Sequence, residues 1–204
     1  MVDRKPENIE VVKKTLLYKK FFRVDEYYFK YPHYNGKMSS VVSREVMNRG
    51  NAAGALLYDP DREEMVFVEQ IRIGAFVAGE NPWVLECVAG IIEAEETPEE
   101  VVVREAEEEA GANVSALEPI TTYFSSPGGL SEKIYLFCGR IDAAHVAKYA
   151  GLPSENEDIR VVVLSVEDVE KMLIEGKFNN ALAIIAVQWF IINLEKLRKK
   201  WGLL

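Results

Sequence analysis

Cysteine and histidine are scarce in this chain of 204 residues, with two of each. Cys87 and Cys138 have no paired spacing and form no Cys/His cluster, which excludes a disulfide scaffold and a zinc motif. That usage suits a reducing compartment. Long apolar runs are also missing. The longest, residues 181–192, is interrupted by Gln188 and is too short to span a bilayer. The first ten residues, MVDRKPENIE, lack the apolar stretch of a signal peptide. Together these absences lead us to expect a soluble, cytoplasmic protein with no membrane partner. Repeats, low-complexity segments and long linkers are absent as well. With 49% hydrophobic residues, the chain can nevertheless bury a sizeable core.

Positive charge is in deficit, 24 Lys and Arg against 33 Asp and Glu, and its distribution is uneven. Residues 1–50 carry 11 basic and 6 acidic side chains, whereas the remainder carries 13 and 27. A basic arm on an acidic body argues against a nucleic-acid-binding core. It suits an arm that meets something negative, either a phosphate ligand or the acidic body of a partner subunit.

The pattern along the chain divides it into residues 1–50, read as a small antiparallel sheet, and residues 51–204, read as an α/β domain. Residues 16–30 and 38–47 are rich in β-branched and aromatic side chains, and Asn35-Gly36 between them is a hairpin-turn signal. Residues 53–58 and 64–72 read as a second hairpin, and residues 83–89, 114–124, 133–141 and 159–165 as further strands. Helices are expected over residues 98–110, 166–175 and 180–200, giving a mixed α/β sandwich with a β appendage. The apolar girth of the last helix reads as core packing or a subunit interface. His33 and His145 read as surface loop residues outside any catalytic role. Cys87 and Cys138 read as buried strand residues.

The most unusual stretch is GIIEAEETPEEVVVREAEEEAGA, residues 90–112, in which nine of 23 residues are Glu. Thr97-Pro98-Glu99-Glu100 is a helix start, with a capping Thr, Pro at the first helical position and Glu three residues after the cap. Gly111 supplies the stop. On a helical wheel Val102, Val103, Ala106 and Ala110 form the expected buried stripe. Glu105, Glu108 and Glu109 converge at its edge, while Arg104 and Glu107 face away. Like charges one turn apart destabilise a helix unless a cation sits among them. Hard oxygen donors in that arrangement suit Mg²⁺ or Mn²⁺.

The spacing of Gly90, Glu96, Arg104, Glu105, Glu108, Glu109 and Gly111 resembles the Nudix box, GX5EX7REUXEEXGU, with Ala106 and Ala112 at the apolar positions. Seven specified residues at fixed spacing make a specific signal. The resemblance implies the Nudix α/β/α sandwich with a mixed sheet, and metal-dependent hydrolysis of a nucleoside diphosphate linked to another moiety. Pro127, 15 residues beyond the box, together with VEQIRIGAF, ENPWVLECVAG, GLPSENEDIRV and the N-terminal FFRVDEYYF, is similar to the bacterial ADP-ribose pyrophosphatase branch. The likeness runs over about residues 15–195.

That resemblance implies a role for each matching residue. The carbonyl of Ala89, with Glu105, Glu109, Glu157 and less directly Glu108, would hold the metal. Glu155 would be the base that activates water, and an extended Glu-x-Glu would aim Glu155 and Glu157 at one site. Gly90, Glu96, Arg104 and Gly111 would support the motif. Phe21, from the other subunit, with Phe22 next to it, would stack on adenine with Arg44 and Glu45 beside it. Arg49 and Arg72 would meet the diphosphate or ribose, and Ile91, Ser126, Pro127, Gly128 and Glu132 would line the terminal ribose. In that branch the N-terminal sheet is exchanged in a homodimer. The expected substrate is therefore ADP-ribose, cleaved to AMP and ribose 5-phosphate. The rivals are another nucleotide sugar such as GDP-mannose, a non-catalytic ADP-ribose sensor, and an interaction module built on the last helix.

Overall fold

The computed structural model describes residues 5–203, which fold as two compact units. The first comprises the N-terminal residues to Asn51 together with Phe124–Lys133. It holds a three-stranded antiparallel sheet of β1 (Glu10–Lys19), β2 (Arg23–Lys30) and β3 (Val42–Asn48), in that order. The strand expected over residues 16–30 is two strands. They turn at Lys20–Phe22, where the Lys20 N–H donates to the Phe22 carbonyl. The turn carries no Gly, Pro, Asn or Asp, the residues that ordinarily mark one, and Phe21 and Phe22 favour strands. The Asn35-Gly36 turn forms inside the β2–β3 connection, with Gly36 at φ 82° and its N–H bonded to the His33 carbonyl. Val11, Val12, Leu16 and Leu17 lie on alternating faces of β1 and are all about half exposed. This sheet buries little of its own apolar surface.

The second unit takes in Ala52–Tyr123 and Ile134–Leu204, of which residues to 203 are described. Its elements are β4 (Ala52–Asp59), β5 (Glu64–Ile71), α1 (Ile73–Val77), β6 (Trp83–Glu86), β7 (Val88–Ile91), α2 (Pro98–Ala110), β8 (Ala116–Phe124), β9 (Lys133–Arg140), β10 (Tyr149–Ala150), β11 (Ile159–Ser165), α3 (Val166–Ile174) and α4 (Ala181–Lys200). The sheet runs β10-β11-β5-β4-β9-β8, with β6 on β5 and β7 on β4, and is mixed because β4 and β9 are parallel. The residues expected as one strand over 83–89 break at Cys87. β4 pairs with β5 only over Leu57–Asp59; farther along, β7 takes its place beside β4 while β6 follows β5.

Strand β4 is buried throughout and its alternation builds two cores. Ala53, Ala55 and Leu57 join Val66 and Val68 beneath Val101, Val102, Ala106 and Ala110 of α2. Leu56 and Tyr58 join Met65 and Phe67 against Val169 of α3 and Ala183, Ala186, Val187 and Phe190 of α4. The result is helix, sheet and helix in layers, the sandwich expected. Helix α1 was not foreseen; it is one short turn of exposed residues. The start of α2 is as expected, with Thr97 Oγ1 accepting from the Glu100 N–H and Glu100 returning the bond to the Thr97 N–H. Gly111 closes the helix at φ 63°, the left-handed region that favours glycine. Cys87 and Cys138 are free thiols inside the second core, and burial raises the pKa of both. Among the described residues no helix is long and apolar enough to cross a membrane.

Phe190 is fully buried with its ring 4.6 Å from that of Tyr58, so it joins α4 to β4. Phe190→Ala is expected to destabilise the protein by about 3–5 kcal/mol, read as a lower denaturant midpoint.

Candidate active site

The motif folds as a strand, a loop and a helix: β7, residues 92–97, and α2. Its buried face differs from the expectation. Val101 is buried and Val103 is 45% exposed, so the stripe is rotated toward the carboxylates. Glu109 therefore lies within the buried face, at 3% exposure, and Glu105 is largely covered. A wheel drawn from apolar residues alone places the stripe too far round, because it assumes that no carboxylate is buried.

Two N–H groups from separate strands hold Glu109. The Ala89 amide of β7 donates to Oε2 at 2.9 Å, and Gln70 Nε2 of β5 donates to Oε1 at 3.1 Å. Burial pushes the Glu109 carboxyl up to about 8, the Ala89 N–H opposes that, and the charges of Glu105 and Glu157 add to it. Burial also raises Glu105, against the pull of Arg104. Gly90 makes room for this carboxylate: a Cβ there would lie 1.6 Å from Glu105 Oε1 and would displace the Glu105 side chain.

Arg104 is the cation of the cluster. Its guanidinium bonds Glu96 at 3.0 Å, Glu105 at 2.7 Å and Glu108 at 3.1 Å. It holds Glu96 below the usual carboxylate range, and Glu96 in turn accepts the Glu93 N–H across the loop. Arg104 thus joins loop and helix, although the wheel turned it away from the apolar side.

The segment carrying Glu155 and Glu157 is not extended. Pro153–Glu155 is a single 3₁₀ turn and Asn156 is left-handed at φ 56°, so strand alternation does not describe the pair. Glu157 instead packs on Gly151, where a Cβ would meet the Glu157 Cβ at 2.9 Å. The Gly151 N–H donates to the Glu108 carbonyl at 3.0 Å, tying this loop to α2. Glu155 is exposed and Glu157 is partly covered.

Glu105, Glu109 and Glu157 fit a hard divalent cation by kind of donor. A carboxylate buried beside two others also calls for a compensating positive charge. Among the described residues, no three carboxylate, histidine or cysteine side chains already stand at ligand spacing. Glu105 and Glu108 are turned to Arg104 instead. Arg72 lies at the end of β5 and pairs with Glu86 at 2.7 Å, and Ile91 ends β7 opposite Ala52.

In the first unit, residues 126–132 are strapped to β3 by bonds between Met47 and both Gly129 and Ser131. This brings Ser126, Pro127 and Gly128 onto the same short loop as Glu132, which is buried and bonded to Arg49 at 2.6 Å. Gly128 and Gly129 have open space where a Cβ would lie, so the backbone alone does not require glycine there. Phe21 and Phe22 form the tip of the β1–β2 turn, edge to face at 5.1 Å, with Phe21 71% exposed. Arg44 and Glu45 lie farther along β3, opposite Tyr27 and Glu26, and as successive strand residues they point to opposite faces. His33 and His145 are exposed. Sequence reasoning missed Gln70 and Glu86. The signal for Gln70 is its phase, since it continues the buried alternation of Val66 and Val68.

Residues 48–185 match the NUDIX domain family. The chain is 44% identical over 195 residues to an ADP-ribose pyrophosphatase of Escherichia coli (strain K12), covering 96% of this chain and 93% of that one. It is 31% identical over 183 residues to a GDP-mannose pyrophosphatase of Cronobacter sakazakii (strain ATCC BAA-894), covering 89% and 94%. A solved structure described as an ADP compounds hydrolase shares the fold, with a TM-score of 0.70 over 99% of this chain and 100% of that one, at 16% identity. The chain belongs to the Nudix family of hydrolases.

A carboxylate whose folded pKa is raised keeps a proton that the unfolded chain has released. Without metal, the contribution of Glu109 to stability is therefore fully present below about pH 4.5 and is lost as pH rises toward about 8. Glu109→Gln is expected to flatten that fall and to raise the metal-free melting temperature at pH 8. An unchanged pH profile of thermal unfolding would contradict the burial of Glu109.

Proposed function

We propose that this chain hydrolyses the diphosphate of ADP-ribose, giving AMP and ribose 5-phosphate. The observation that carries the reading is the buried Glu109, clamped by two strands and crowded by Glu105 and Glu157. Identity of 44% to an ADP-ribose pyrophosphatase across nearly the whole chain supports the substrate. Hydrolysis of GDP-mannose is the second reading, supported by the more distant relative of that activity.

The Ala89 carbonyl, Glu105, Glu109 and Glu157 would hold Mg²⁺ or Mn²⁺, with Glu108 alongside. Bound there, a divalent cation neutralises the diphosphate and lowers the pKa of a water. Glu155, exposed on its 3₁₀ turn, accepts the proton of the attacking water. Gly90 leaves room for Glu105, while Arg104 and Glu96 brace the loop and Gly111 ends the helix. Arg72 and Arg49 meet the phosphates or ribose, where a planar guanidinium suits phosphate oxygens. Ile91, Ser126, Pro127, Gly128 and Glu132 line the terminal ribose. Phe21 and Phe22 supply an exposed aromatic face for adenine, with Arg44 and Glu45.

Residues 1–50 act as a dimerisation and substrate-binding region and residues 51–204 as the hydrolase domain. The half-exposed apolar residues of β1 support a homodimer in which the N-terminal sheet is exchanged. The buried, reduced cysteines suit the cytoplasm.

Purified protein is expected to release AMP from ADP-ribose selectively over GDP-mannose, UDP-glucose and NADH, and only with Mg²⁺ or Mn²⁺. Glu155→Gln should lower kcat by about 10²–10⁴-fold. Near wild-type turnover in Glu155→Gln, with activity lost in Glu109→Gln, would remove Glu155 from the role of base. Sedimentation should give a dimer, and a monomer at micromolar concentration would sink the exchanged sheet.

A further inference from the structure

Strand β5 places Met65 and Phe67 against α3 and α4, and Val66 and Val68 beneath α2. Gln70 is next in phase with the second pair, at 7% exposure, opposite Val84 of β6. Its neighbour Glu69 belongs to the other phase and pairs with Arg160. A primary amide so placed loses water on folding, a cost that an apolar side chain would avoid. The bond that offsets it is the one from Nε2 to Glu109 Oε1. The Ala89 N–H occupies only Oε2, so without Gln70 the carboxylate is held at one oxygen and can swing about that bond. Each oxygen still keeps a lone pair beyond these bonds. We propose that Gln70 is a positioning residue, which fixes the plane of the Glu109 carboxylate so that it binds a divalent cation in one orientation. The inference rests on the reading of Glu109 as a metal ligand.

The test is Gln70→Met, which keeps length and volume but removes the donor, with Gln70→Asn, which keeps an amide one methylene short, as the second variant. Mn²⁺ binding to the substrate-free protein is measured by calorimetry, and turnover of ADP-ribose as a function of Mg²⁺. Partners behind metal ligands are worth about 10–100-fold in affinity, so Mn²⁺ binding is expected to weaken by that factor in Gln70→Met and in Gln70→Asn. Half-saturation by Mg²⁺ should rise similarly, KM for ADP-ribose at saturating Mg²⁺ should stay unchanged, and excess Mg²⁺ should restore kcat. In the Glu109→Gln background, Gln70→Met should have no further effect on Mn²⁺ binding. Wild-type Mn²⁺ affinity in both Gln70 variants, with Glu109→Gln impaired, would overturn the positioning role alone. A full additional loss in the double variant would do the same. Wild-type Mn²⁺ affinity in Glu109→Gln would overturn the reading of Glu109 itself.

Discussion

The hydrogen bonds that close on Glu109 join three separate elements. Helix α2 supplies the carboxylate, β7 an amide and β5 a side-chain amide. Burying a carboxylate is costly in any fold. Here the cost is met at the point where α2 lies against the sheet, so the apolar contacts of Val101, Val102, Ala106 and Ala110 press the charged group into place. Folding energy from the core thus maintains a strained electrostatic arrangement beside it.

Around that carboxylate the remaining charges are distributed by reach. Arg104 answers Glu96, Glu105 and Glu108 at once, which a lysine could not do with comparable geometry. Glu109 lies beyond it, and its donors among the described residues, Gln70 and the Ala89 N–H, are neutral. Glu157 arrives from a different part of the chain, on a loop pinned to α2 through the Glu108 carbonyl. The cluster is therefore short of positive charge where the carboxylates are deepest, the condition that favours a divalent cation.

Much of this was legible in the chain. Thr97, Pro98, Glu100 and Gly111 marked both ends of α2, because caps depend on side chains within one turn of the terminus. The motif spacing named the carboxylates for the same local reason. The turn at Lys20–Phe22 was not legible, since it has no Gly, Pro, Asn or Asp and its two Phe favour strands. The extended reading of Glu155 and Glu157 failed because Pro153–Glu155 closes into a 3₁₀ turn, which the left-handed Asn156 caps through its N–H on the Pro153 carbonyl.

What the sequence determined by itself was therefore local: the helix with its caps, the alternation of β4, the spacing of seven motif residues and the absence of membrane-length helices among the described residues. Only the tertiary structure decided that β6 and β7 part onto different strands, that Val101 rather than Val103 is buried, and that Gln70 meets Glu109 across 39 positions of sequence. Periodicity and capping act within a few residues of the chain. Burial and the pairing of distant polar groups depend on which surfaces the sheet brings together.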